Sequence, residues 1–149
     1  MARQVSRAAR HPAPRPDGDA RPPALRISSG SPYEVLVGFS RAVRIGDRVI
    51  VSGTAPVWPD GECPDDPALQ ARRCIEIIEE ALREARASLR DVVRTRQYIV
   101  DRADAEAVSK AHAECFGDVR PASTMVVVAG LLDPRWRVEI EAEAIVGAG

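Results

Sequence analysis

From Val138 to Val146 the chain alternates. Val138, Ile140, Ala142 and Ala144 fall on one side, and Glu139, Glu141 and Glu143 on the other, the period of two that a strand imposes. A strand with carboxylates along one face needs water or cations opposite that face. The preceding run from Arg120, RPASTMVVVAG, reads as a second strand separated from the first by a turn.

Upstream, Ser40 to Ile45 and Arg48 to Thr54 are strand-like runs joined at Gly46-Asp47, a turn signal that makes them a hairpin. Trp58 to Pro67 is a loop with a tight turn at Asp60-Gly61. Asp66 is placed to cap a helix with Pro67 at its first position, where the missing N–H is harmless. In that helix Leu69 or Ala71, Cys74, Ile75, Ile78, Ala81, Leu82, Ala85 and Leu89 recur at three- and four-residue spacing and form a buried stripe. Arg72, Glu76, Glu80 and Arg83 lie on the solvated side.

Val92 to Val100 predicts a strand with Val93, Thr95, Gln97 and Ile99 on one face and Arg94, Arg96 and Tyr98 on the other. Asp104 is expected to cap a second helix carrying Val108, Ala111 and Cys115 on one stripe, with Gly117 as the left-handed residue that ends it. The order strand, strand, helix, strand, helix, strand, strand predicts an α+β fold, a mixed sheet with both helices on one face. The helix-free face would hold the three glutamates near Arg94 and Arg96. It is either solvated or packed on a second copy, and the pattern alone weighs the two equally.

Length and composition fit one domain with a tail. Residues 1–30, rich in Pro and Arg, have too few large apolar groups to offset the entropy of ordering, so they are expected to form a disordered arm before a domain at 31–149. The domain begins where SPYE leads into Val35, Leu36 and Val37. Six arginines against Asp17 and Asp19 give residues 1–26 a charge of +4, and the total of −1 leaves −5 for the rest. An acidic body argues against nucleic acid as a main partner.

No apolar run reaches the roughly 20 residues of a membrane helix, which predicts a soluble protein without a membrane partner. The first residues lack the apolar core of a secretory signal, and prolines between 12 and 23 break any amphipathic transit helix. With Cys74 and Cys115 in helical patterns and Cys63 left over, a disulfide framework is not expected and a reducing, cytoplasmic location is.

The motifs SPYE, VIVSGTAP, QARRCIEIIEEAL, DVVRTRQYIVD, RPAST and VEIEAEAIV occur in that order between residues 31 and 146. Together they resemble the RidA family, also called YjgF/YER057c/UK114. The resemblance implies a chorismate-mutase-like fold and a homotrimer with a central barrel of three sheets, whose small-molecule sites lie in clefts between subunits. It also implies kinship with 2-iminobutanoate/2-iminopropanoate deaminases, which hydrolyse imines and enamines with neither metal nor organic cofactor.

Carried over residue by residue, the family's proline-alanine-arginine-serine-cysteine motif falls on Pro121, Ala122, Ser123, Thr124 and Met125. The arginine that grips the substrate carboxylate is therefore Ser123 here, a neutral hydroxyl where a planar bidentate donor is wanted. Loss of that arginine should weaken imino-acid binding. Arg41, Arg44, Arg94, Arg96 and Arg120 are possible substitutes, with surface or structural roles the commoner use of each. Glu139 matches the glutamate held to position or activate water, Tyr33 the tyrosine of the proline-tyrosine motif, Ser52 and Gly53 the strand-end serine-glycine, and Ser109 stands where the family has asparagine.

Other candidates are weaker. His112 with Cys115 makes at most half a metal site, so none is expected. Cys63 and Cys74 have no adjacent base, and Trp58 and Trp136 read as packing groups. Two functional readings follow: a cofactor-independent hydrolase of a small imine, enamine or carbonyl compound, with Glu139 as base and Ser123, Thr124, Tyr33, Ser52, Gly53 and Ser109 lining the cleft; or a non-catalytic binding or chaperone-like trimer.

Overall fold

The computed structural model describes residues 22–149. Six strands form one sheet in the order β1-β2-β3-β6-β4-β5, where β1 is Leu25–Ile27, β2 Ala42–Ile45, β3 Arg48–Thr54, β4 Val92–Ile99, β5 Ala122–Val127 and β6 Val138–Ile145. All neighbours are antiparallel except β4 and β5. Helix α1 is Pro32–Val37, α2 Pro67–Glu84 and α3 Ala105–Phe116.

The two long helices cover one sheet face. Cys74 of α2 lies with its Sγ 3.8 Å from the Val138 carbonyl, and His112 of α3 reaches Thr95 on β4. Beneath them Val49, Val51, Val138, Ile140, Ala142 and Ala144 from the sheet meet Ala71, Cys74, Ile75, Ile78 and Leu82 from α2. The stripe read from the sequence is thus the core-facing side of α2 from Ala71, rather than Leu69, to Leu82, whereas Ala85 and Leu89 lie beyond the helix, which ends at Glu84 ahead of left-handed Arg86. Asp66 caps α2 by accepting from Leu69 N at 3.0 Å. Gly46 and Gly61 take positive φ in their turns.

The alternation of β6 holds along its length, and two of its three glutamates, Glu141 and Glu143, are answered within the chain. Arg96 donates to Glu141 at 2.8 Å, Arg48 to Glu143 at 2.7 Å, and Tyr98 Oη to Glu141 at 3.2 Å. Cross-strand pairing brings them together, since Glu141 stands opposite Arg96 and Glu139 opposite Tyr98.

Three expectations change, and residues 35–37 gain an assignment. Residues 1–21 of the expected arm lie outside the described residues, but Leu25–Ile27 within it forms β1 on β2 and buries Ile27, so the ordered chain starts before residue 31. Val35, Leu36 and Val37 belong to a helix, α1, set by Ser31 as N-cap, Pro32 in its first turn and left-handed Gly38 at its end. Asp104 stands at the start of α3 but caps nothing: its carboxylate takes both Nε and Nη2 of Arg137, at 2.8 and 2.7 Å, a stronger engagement than one backbone N–H. Gly117 remains right-handed with φ −56°, and the left-handed turn after α3 falls on Arg120 with φ 50°.

Candidate functional site

A cavity of about 1300 Å³ opens at the end of the sheet where β3 finishes and β6 begins. Residues of α1, the loop after β3, one side of α2 and the loop before β6 wall it, among them Tyr33, Trp58, Ile77, Leu132, Trp136 and Glu139. Gln70, fully buried in α2, sets both loops. Its Nε2 donates to the carbonyls of Pro64 and Arg135 at 2.8 and 3.0 Å, and its Oε1 accepts from Arg137 N at 2.7 Å.

Glu139 lines this cavity. It is the first residue of the acidic face of β6, half-buried, and it has none of the partners that hold Glu141 and Glu143. Burial pushes its pKa above the ordinary carboxylate value, and the charge of Glu141 pushes the same way while that of Arg41 opposes it.

The strand beneath it is shaped to receive it. β3 and β6 slip register between Val51 and Thr54, a bulge that places Ser52 and Gly53 under Glu139. A Cβ built on Gly53 would collide with Glu139 Oε1 and stand 3.4 Å from its Cδ. Glycine lets the carboxylate rest directly on the strand, and any larger residue would displace it.

The bulge is pinned by Arg41. Its Nη2 donates to the carbonyls of Ser52 and Gly53, each at 2.7 Å, while its Nε is buried without a partner. Burial lowers the pKa of this guanidinium, and the charges of Glu34 and Glu139 act in the other direction. Glu34, also on the cavity wall, accepts from Ser28 Oγ at 2.6 Å and from Ser29 N at 2.8 Å, and these bonds hold its carboxyl below the usual range.

The sequence-predicted residues divide into two groups. Tyr33, Gly53 and Glu139 share the cavity. Ser52 does not line it: its Oγ donates to Ser40 O and its carbonyl accepts from Arg41, each at 2.7 Å. Ser123, Thr124 and Ser109 lie elsewhere in the chain. Ser123 is paired with Thr95 and so faces the helices, two strands from Glu139, about 10 Å at usual strand spacing, and on the opposite face. Its Oγ accepts from Gln97 Nε2 at 2.8 Å and Thr95 Oγ1 at 3.0 Å, next to His112, whose Nε2 is 2.9 Å from Thr95 Oγ1. Thr124 is on the helix-free face of the edge strand β5, and Ser109 is exposed on α3.

Glu34 and Gln70 were not legible as site residues. Trp58 and Trp136, expected only to pack, line the cavity. Arg41 had been one of several equivalent arginines until the fold set it beside Glu139. Among the described residues no group of three His, Cys, Asp or Glu side chains is arranged to hold a metal ion.

A mixed sheet with helices on one face and a half-buried carboxylate seated over a strand-end glycine define a small α+β protein with a carboxylate in a cleft. Residues 31–146 match the family described as endoribonuclease L-PSP, and the chain belongs to this family, the RidA or YjgF/YER057c/UK114 family. The solved structure of Rv2704 from Mycobacterium tuberculosis, a member of it, shares 46% identity at a TM-score of 0.77 over 83% of this chain and all of that one. An uncharacterised protein of Streptomyces coelicolor is 43% identical over 83% of this chain and 92% of its own length. The 3-aminoacrylate deaminase RutC of Acinetobacter baylyi is 32% identical over 83% of this chain and 98% of its own.

Proposed function

We propose that this chain is a cofactor-independent hydrolase of small imines, enamines or related carbonyl compounds, acting in clefts completed by a second copy of the chain in a homotrimer. One observation carries the reading: Glu139, alone of the three part-buried carboxylates on its strand face, has no ion pair or hydrogen bond among the described residues and is seated against Gly53 in a cavity. A carboxylate whose pKa burial has raised is a better base toward water than an exposed one.

The division of the family-matched residues favours a shared cleft. Ser123 and Ser109 lie away from Glu139 in one chain, so they meet it only if another copy brings them. Surfaces suited to such contact are present: Val35, Leu36 and Val37 on α1 are 90, 79 and 69% exposed, and edge strand β5 leaves Val126 and Val127 open. Nucleic acid forms no part of this reading, since Arg48 and Arg96 on the open sheet face are neutralised by Glu143 and Glu141.

Ser123 sets the activity apart from that of the iminobutanoate deaminases. A hydroxyl that already accepts from Gln97 and Thr95 offers one proton at most, in place of a bidentate cation. The test follows ammonia release from imines generated in place, both 2-iminobutanoate and the neutral imine of 2-oxobutanamide. Turnover of at least one above the spontaneous rate, lost in Glu139→Gln, is the expected result. Equal turnover in Glu139→Gln, or none in the native protein, would leave the non-catalytic binding trimer standing instead.

A further inference from the structure

Three arginines line the cavity, and their partners differ. Arg135 is held by Asp133 through Nε at 3.1 Å and Nη2 at 2.8 Å. Arg73 pairs with Glu76 at 3.1 Å and donates Nε to the Val57 carbonyl at 2.8 Å. Arg41 hydrogen-bonds only neutral acceptors, the carbonyls of Ser52 and Gly53. Two carbonyls orient a guanidinium without consuming its charge as a carboxylate would.

The group is also preorganised. Arg41 N donates to Ile27 O at 2.8 Å, and Arg41 O accepts from Ser52 N at 3.0 Å, so the residue is fixed between β1 and β3. With Nη2 occupied and Nε sealed, Nη1 is the remaining donor; it makes no hydrogen bond among the described residues and is not among the buried unsatisfied atoms. The neighbouring Glu34 is already satisfied by Ser28 and Ser29, which leaves Arg41 and Glu139 as the part-buried charges of the lining without an ion-pair partner among the described residues, Glu62 and Glu80 being exposed.

We propose that Arg41 is the substrate-recognition residue of this cavity, donating from Nη1 to the carboxylate of a short 2-imino, enamine or 2-oxo acid whose reacting carbon faces Glu139. This rests on the hydrolytic reading of Glu139 above and adds the residue that would select for a carboxylate. A 2-iminium acid carries a carboxylate and a positive nitrogen, so Arg41 and Glu139 match its two charges. Glu139 takes a proton from water as the water oxygen bonds to the iminium carbon and the C=N electrons move to nitrogen. The nitrogen, once protonated, leaves as ammonia while the hydroxyl proton is released and C=O forms. Iminium acid plus water thus gives 2-oxo acid plus ammonium, without oxidant or reductant. Recognition has moved from the edge strand, where Ser123 stands, to the wall that also carries the base.

The experiment uses the full-length protein and two probes, 2-oxobutanoate and its amide, with binding measured by calorimetry in the native chain, Arg41→Met, Arg41→Lys and Glu139→Gln. One charge-assisted hydrogen bond predicts a preference for the carboxylate of about tenfold to a hundredfold. Arg41→Met should erase that preference, Arg41→Lys should retain part of it, and Glu139→Gln should keep it. No preference in the native chain, or an undiminished one in Arg41→Met, overturns the proposal. A crystal soaked with 2-oxobutanoate gives a reading that needs no variant: its carboxylate within hydrogen-bond distance of Arg41 Nη1 supports the assignment, and a carboxylate held elsewhere refutes it. An Arg41-dependent preference combined with unaltered turnover in Glu139→Gln would sink the hydrolase reading while leaving the recognition role intact.

Discussion

The two ends of the acidic face of β6 share a strand, a side-chain type and an orientation, yet they differ in chemistry. At the far end Glu141 and Glu143 are tied to Arg96 and Arg48, and the Arg48 hydrogen bond holds Glu143 below the ordinary carboxylate range. At the near end Glu139 has no such tie and is shifted the other way, chiefly by burial. The difference comes from what the neighbouring strand offers. β4 places Arg96 opposite Glu141 but Tyr98 opposite Glu139, and the bulge in β3 gives Glu139 a glycine to rest on. Pairing fixes register, whereas its absence leaves a carboxylate free to move a proton.

The largest effect expected from breaking this contrast is on turnover. Glu139→Gln keeps size and removes the base, which should lower kcat by about 10² to 10⁴. Stability should move the other way. Because the folded pKa of Glu139 is raised, ionising it disfavours the fold as pH rises through that value, so Glu139→Gln should be at least as stable as the native chain at neutral pH. The same raised pKa predicts a rate that falls with decreasing pH at an acid limb above the ordinary glutamate value. A pH–rate profile with its limb at or below that value would count against Glu139 as the base.

Gly53→Ala sharpens the comparison by moving the carboxylate without removing it. The added methyl meets the flexible end of Glu139 rather than backbone, so the strand should persist while the carboxylate is displaced. A displacement of about 1 Å lowers kcat by roughly tenfold to a hundredfold, with stability within about 1 kcal/mol of the native value. Unchanged kcat would mean that the seat on Gly53 is not used.

The cavity end also depends on loops, and the paired end does not. Gln70→Leu would leave Arg137 N and the carbonyls of Pro64 and Arg135 without their partner. Unsatisfied groups of this kind cost about 1 to 3 kcal/mol each when buried, and loop relaxation toward water should limit the total to about 2 to 3 kcal/mol. Denaturant unfolding measures it. The ion pairs of Glu141 and Glu143 should be unaffected, because they lie on the other sheet face.

Much of this was legible from local pattern. Period two gave the faces of β6 and of β4 from Arg94 onward, and three-and-four spacing gave the buried stripe of α2, because each depends on residues near one another in sequence; at the start of β4 a bulge between Val92 and Arg94 buries Val92 in place of Val93. The family motifs picked out Glu139, Gly53 and Tyr33. β1 escaped notice because three residues carry no periodicity and are ordered only by β2, and α1 because a six-residue helix shows itself through its caps rather than through a stripe. Arg41 was ambiguous among its fellow arginines, since only the pairing of β3 with β6 brings it near Glu139. The facing of Ser123 depends on which strand borders β5, and the motif alone does not state that.

The smallest expected effect lies at the paired end and is the control for the rest. Glu143 accepts from Arg48 at 2.7 Å, but the Arg48 side chain is 61% exposed, and solvent and salt screen such a pair. Its lowered pKa gives a contribution that is present above the unfolded glutamate value and lost as pH falls through the folded one. Glu143→Gln should therefore reduce stability by less than about 1 kcal/mol at neutral pH. That deficit should shrink in molar salt and vanish in acid, with kcat unchanged. If Glu143→Gln lowered kcat as far as Glu139→Gln, the carboxylates would be acting as one charged field, and the division of the strand into a paired end and a reactive end would fail.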